Sequence, residues 1–276
     1  MAIRKRKSPA RAISQTLAAI VANSGFPGLK MCPYPGLNCY ACPLASFACP
    51  VGSLQKFIAM RQFPYAMAGF FAAVGAVVGR AACGWACPFG FFQDLLARLG
   101  PKRKLLRSQR GNWIRYVVLI ALVGVGAYAF GQPLFCKICP AGTLEGGIPQ
   151  VLTKPELRVL IGPRYWMKIA VLAALVGASI LIKRPFCRFV CPLGAIWSPF
   201  NRVSLMRLEV DDAACTKCGA CKGVCPVDLE VYRDPNSDAC IRCLECTRCD
   251  AVRVSWGGSE AARDTGKPKR SVRVRV

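Results

Sequence analysis

Histidine is absent from all 276 residues. That removes His-ligated haem, CxxCH haem attachment, His-containing zinc sites and any Ser-His or Cys-His dyad. Acids are scarce too. Before Leu208 the only carboxylates are Asp94, Glu145 and Glu156. A nucleotide-binding glycine loop is also missing, which disfavours a nicotinamide nucleotide as direct electron donor. What is abundant is cysteine, with 18 residues, and apolar surface, with 54% hydrophobic residues and a mean hydropathy of +0.34 beside a net charge of +24. Those numbers fit a membrane protein with basic loops. The Lys and Arg residues flank apolar runs instead of forming one soluble block, so nucleic acid is not an expected partner.

Three stretches have spanning character, about 63–79, 113–130 and 165–182, and residues 1–25 supply a basic N-terminus and a weaker first membrane helix, read as retained and not as a cleaved signal. With the N-terminus in the cytoplasm, eighteen Lys and Arg fall in inner segments and eight in outer ones. The positive-inside bias therefore predicts four helices with both ends cytoplasmic.

The chain repeats itself. "GRAACGWACPFG" (Gly79 to Gly90) aligns without a gap to "KRPFCRFVCPLG" (Lys183 to Gly194), and C-P-x-G occurs at Cys49, Cys87, Cys139 and Cys191. Each half reads outer C-P-x-G, membrane helix, inner C-x3-C-P-x-G. Such a parallel duplication predicts two halves facing each other about an axis along the membrane normal, over residues 26–207. From 208 to 256 the composition becomes that of a small soluble domain. The tail, 257–276, is basic and reads as disordered.

The most specific signal is Cys215-x2-Cys218-x2-Cys221-x3-Cys225-Pro226, the spacing with which three thiolates hold one cubane cluster while the fourth reaches a neighbouring one. Its partner run is Cys240, Cys243, Cys246 and Cys249, where x2 and Asp250 replace the expected x3 and Pro. Crossed ligation predicts one [4Fe-4S] cluster on Cys240, Cys243, Cys246 and Cys225, and a second on Cys215, Cys218, Cys221 and Cys249.

On these cysteines the C-terminal segment resembles bacterial two-cluster ferredoxins. With Cys83, Cys87 and Pro88, and Cys187, Cys191 and Pro192, residues 10–256 resemble the NapH-type membrane polyferredoxins, with related arrangements in NosR-type proteins. The resemblance implies a mainly α fold: a four-helix integral membrane domain followed by a small α+β two-cluster ferredoxin-like domain, in the bacterial cytoplasmic membrane. It also implies electron transfer from membrane quinol toward a redox partner protein. A maturation or repair factor that reduces a metal centre or disulfide of its partner is the alternative, and a structural subunit a third reading.

Cys83, Cys87, Cys187 and Cys191 are four thiols on the cytoplasmic side, candidates for one additional cluster, for two redox-active disulfides, or for buried structural thiols. Cys32, Cys39, Cys42, Cys49, Cys136 and Cys139 face the other compartment, as disulfides or as cluster ligands. Asp94 and Glu145 each follow a C-P-x-G motif at a depth where quinol oxidation releases protons, which makes them candidate proton acceptors. The crossed assignment has a direct consequence. Replacing Cys249 by Ser should remove about four iron per chain, measured with acid-labile sulfide under anaerobic conditions, and spare the cluster on Cys240, Cys243, Cys246 and Cys225.

Overall fold

The computed structural model describes residues 9–100 and 111–257. The basic residues Arg4 to Lys7, those of 101–110 and the tail from 258 on lie outside this range. Within it the chain is mainly helical, with two strands.

Pro163–Leu181 is the one helix among the described residues that is long and apolar enough to cross a membrane. Its 19 residues rise about 28 Å, close to the thickness of a hydrocarbon core. Ala10–Ala22, Tyr65–Val78 and Ile114–Phe130 are apolar but shorter, so the expectation of four spans is met at full length by one helix. Tyr65–Val78 is bounded by Pro64, which lies outside helical geometry, and by Gly79 at φ +57°. Inside Ile114–Phe130 the segment Leu119–Val125 is wound as π-helix.

The C-P-x-G motif works as a helix start. At Cys49, Cys87, Cys139 and Cys191 the cysteine is the extended N-cap and the proline occupies the first turn. Proline suits that position because its missing N–H would be unpaired there in any case. At the two inner motifs the sulfur also accepts the N–H of the glycine three residues on, Gly90 to Cys87 at 3.3 Å and Gly194 to Cys191 at 3.4 Å. A thiolate in this place is favoured by the N–H groups and the helix dipole together.

The residue six positions after each of these cysteines ties one half of the duplication to the other. Gln55 Oε1 accepts the Phe135 N–H at 3.1 Å, and Gln93 Oε1 accepts that of Phe186 at 3.2 Å. Glu145 Oε2 accepts the Cys39 N–H at 2.6 Å, and Trp197 Nε1 donates to the Phe71 carbonyl at 3.3 Å. Gln55, Gln93 and Trp197 are fully buried. These bonds explain how two apolar halves hold one register, because a buried amide left unpaired carries a penalty of about 1–3 kcal/mol.

The loop between the first two apolar helices does not stay at the surface. Tyr34 Oη donates to the Ala86 carbonyl at 2.6 Å, and the Leu37 N–H reaches Cys87 Sγ at 3.5 Å. Irregular backbone is tolerated inside the protein where its polar groups find partners, and Tyr34, Leu37 and Asn38 are all buried.

At the C-terminal end Met206–Val210 pairs antiparallel with Val252–Trp256, Met206 opposite Trp256 and Val210 opposite Val252. The cysteine-rich segment between these strands packs against the inner motif. Trp85 Nε1 donates to the Arg242 carbonyl at 3.0 Å, and Asn201 Nδ2 donates to the Cys240 carbonyl at 2.7 Å. Gly84 permits the contact, since a Cβ there would stand 2.5 Å from the Ile241 carbonyl oxygen. Gly84→Val should therefore loosen the docking by about 1–3 kcal/mol. Limited proteolysis before residue 206 should become faster, while the cluster spectrum of the C-terminal segment persists.

Candidate iron–sulfur sites

Three sets of cysteines converge. In the first, Cys225 meets Cys240 and Cys243, and Cys246 meets all three. The four line one pocket whose walls include Leu208, Val227, Val231 and Ile241. All four thiols are buried. This is the grouping that crossed ligation predicts, and its donor set and apolar walls fit a cubane cluster. Cys221 belongs to the same hydrophobic cluster and Cys249 packs against it, whereas Cys215 is half-buried and Cys218 exposed. The second ferredoxin set is thus more open than the first.

The second convergence joins the two C-x3-C-P motifs. Cys87 lies within electrostatic reach of Cys187 and Cys83, and Cys191 within reach of Cys187, Cys83 and Cys87. Each of the four is 6% exposed. Burial pushes the Cys87 thiol up to about 12. Burial also raises the Cys83 thiol, against Arg80 and Arg184, which lower it. Gln93 Nε2 donates to Cys187 Sγ at 3.2 Å, adding to the N–H groups of Leu37, Gly90 and Gly194 on the other sulfurs. Four sulfurs, several donors and two buried guanidinium groups fit an anionic cluster. Neutral structural thiols would leave Arg80 facing no anion, whereas Arg184 has Asp94.

The third convergence lies among the other six cysteines. Cys39, Cys49, Cys136 and Cys139 line a cavity of about 230 Å³, while Cys32 and Cys42 do not. No group of three Cys, Asp or Glu among the described residues has the geometry to hold a single metal ion. These sets are thiol-rimmed spaces and not mononuclear sites.

The two expected proton acceptors differ. Asp94 is clamped by Arg184, which donates through Nε at 2.9 Å and Nη2 at 2.7 Å, and by Arg11 at 2.5 Å. Burial raises its carboxyl, but the two guanidinium groups outweigh that and hold it below the usual carboxylate range. Asp94 is consequently a salt-bridge anchor, poorly suited to take up a proton near neutrality. Glu145 is pushed up to about 7 by burial, against the Cys39 N–H that lowers it.

The sequence matches the 4Fe-4S binding domain family over residues 46–64, 60–107, 112–151 and 165–209, each stretch containing one C-P-x-G motif. The chain belongs to that family. An uncharacterized protein of Methanocaldococcus jannaschii is 30% identical over 228 residues, 77% of this chain and 89% of that one. Ferredoxin-type protein NapH of Haemophilus influenzae is 29% identical over 65% of this chain and 60% of its own length. Regulatory protein NosR of Pseudomonas aeruginosa is 27% identical over 59% of this chain, but only 22% of NosR is covered. No solved structure matches. In this family setting the resemblance to ferredoxin-type proteins read from the cysteines holds, and the matched stretches are the duplicated motifs themselves.

The clamp on Asp94 makes a measurable difference. Arg184 is fully buried, so Asp94→Asn leaves a guanidinium without its carboxylate. The expected loss is about 3 kcal/mol, at the low end for a broken buried pair because Asp94 keeps some solvent contact. A lowered thermal transition in detergent checks it.

Proposed function

We propose that this protein is an integral membrane iron–sulfur protein that relays electrons between membrane quinol and a redox partner protein. Two [4Fe-4S] clusters sit on the ferredoxin cysteines, and a further cluster on Cys83, Cys87, Cys187 and Cys191. One observation carries the reading. Gly84, next to Cys83, packs against the Ile241 carbonyl and the Cys243 backbone, so the inner motif set abuts the first ferredoxin set. Trp85 closes the same contact through Arg242.

Membrane placement draws on side chains that no protein covers. Ile13, Leu17 and Ile20, Val117, Ile120 and Val125, and Trp166, Met167 and Val171 are exposed on three of the apolar helices. In water such faces would be a liability. In lipid they are the expected surface. The short helices fit a bundle whose ends are completed by the buried loop and the C-P-x-G helices, with both termini cytoplasmic. The family's 4Fe-4S binding and the ferredoxin-type names of its relatives support electron transfer. The lipid-facing surface and the docked cysteine-rich segment support a quinol donor and a protein acceptor.

Removing a ligand of the inner set separates this reading from a maturation factor. With Cys83→Ser, a quinol analogue should no longer reduce the ferredoxin clusters, while dithionite still should. In a thiol or metal reductase the ferredoxin clusters would be the entrance, and their reduction would be untouched. Quinol-driven reduction at the wild-type rate in both Cys83→Ser and Cys187→Ser would exclude the inner set as entry site.

A further inference from the structure

We infer that Cys39, Cys49, Cys136 and Cys139 bind another [4Fe-4S] cluster, one step beyond the inner motif set and toward the opposite face of the membrane.

The four thiols come from three separate pieces of chain. Cys49 and Cys139 are N-caps of C-P-x-G helices, Cys136 lies on Leu134–Ile138, and Cys39 rides on the buried loop. They converge on one apolar cavity walled by Leu37, Val51, Phe135 and Ala141. Its volume, about 230 Å³, suits a cluster and not a disulfide. Two disulfides would draw the sulfurs together in pairs at about 2 Å and leave the space unfilled, which a packed interior resists.

The site repeats the glutamine contact of the inner set. Gln55 holds the Phe135 N–H and points its amide at Cys136 Sγ, 3.8 Å away, as Gln93 holds the Phe186 N–H and donates to Cys187. Gly52, Gly142 and Gly146 face the sulfurs, where a Cβ would stand 3.2 to 3.6 Å from Cys136 or Cys39 Sγ. Lys168 lines the cavity and acts electrostatically on Cys136. An anionic cluster thus finds a cation beside it.

The two sets are also neighbours. Leu37 donates its N–H to Cys87 Sγ, and Leu37, Asn38 and Cys39 in succession line the outer cavity. One electron passing from the outer to the inner cluster oxidises the former's core from +1 to +2 and reduces the latter's from +2 to +1. No proton or further reactant is needed. Joined to the contact at Gly84, this makes a continuous row from the ferredoxin segment through the membrane domain. The inference extends the relay proposed above, but the occupancy of the outer cavity stands on its own residues.

Iron and acid-labile sulfide counts on the full chain, purified anaerobically in detergent, test it. Wild type should carry about sixteen of each, and the double variant Cys136→Ser/Cys139→Ser about twelve, with the other clusters' low-temperature EPR signals intact. An unchanged count in that variant, or zinc at the site, overturns the inference. So does a wild type with four cysteines oxidised to disulfides and only about twelve iron. If Cys83→Ser loses no iron while Cys136→Ser/Cys139→Ser does, the inner-cluster reading fails and this one stands. Should the double variant not fold, Lys168→Met serves. It should keep all the iron and move one EPR signal to a more negative potential, and no movement of any signal counts against a cluster there.

Discussion

Arg80 and Arg242 are buried to within 1% of full enclosure, and among the described residues neither forms a salt bridge with a carboxylate. Arg80 donates to the carbonyls of Asp238 and Cys187; Arg242 donates to the carbonyls of Val78 and Asn201 and to Ser204 Oγ. Carbonyl dipoles alone do not repay the several kcal/mol of removing a guanidinium from water. What faces them instead is sulfur: Arg80 acts on Cys83 and Cys240, and Arg242 on Cys240. The interface between the apolar helices and the cysteine-rich segment is therefore built for anions at the sulfurs. Clusters with four thiolate ligands, as proposed above, would supply them.

Asp94 belongs to this balance. It holds Arg184 in place, and Arg184 in turn donates to the Cys83 carbonyl at 2.9 Å. Arg11, from the first helix, shares Asp94 and also donates to the Gly84 carbonyl at 3.0 Å. One carboxylate thus fixes three pieces of chain around the inner motif. That is why an acid survives in a region otherwise almost stripped of them.

Much of this was legible in the sequence because it is local. A cysteine before a proline, with glycine two residues after the proline, specifies a helix start whatever surrounds it, and the ferredoxin spacing names its own ligand sets. Convergence between distant segments was not legible. Nothing near Cys39 distinguishes it from Cys32 or Cys42, and only the path of the buried loop selects it. One signal was overlooked. A polar residue stands six positions after three of the four C-P-x-G cysteines, at Gln55, Gln93 and Glu145, in otherwise apolar surroundings. Their recurrence at one spacing marked side chains bonded across the duplication. The apolar lengths misled in the other direction, because hydropathy does not register that Pro64 and Gly79 cut Tyr65–Val78 short.

The place where the duplication breaks is the most informative part of it. At the inner set both halves contribute two cysteines. At the outer set the second half contributes Cys136 and Cys139, but three residues before Cys49 the first half has Ser46. Ser46 is fully buried and committed elsewhere, accepting the Phe26 N–H at 3.0 Å and bonding Ser24 Oγ at 2.8 Å. The fourth thiol must come from outside the repeat. Cys39 supplies it on the loop whose Leu37 N–H already touches Cys87. A fully symmetric outer set would need no such loop and would stand apart from the inner one. Exchanging one repeat cysteine for a loop cysteine therefore shortens the path between two thiol-lined sites to three consecutive residues, and the loss of symmetry becomes the means of connection.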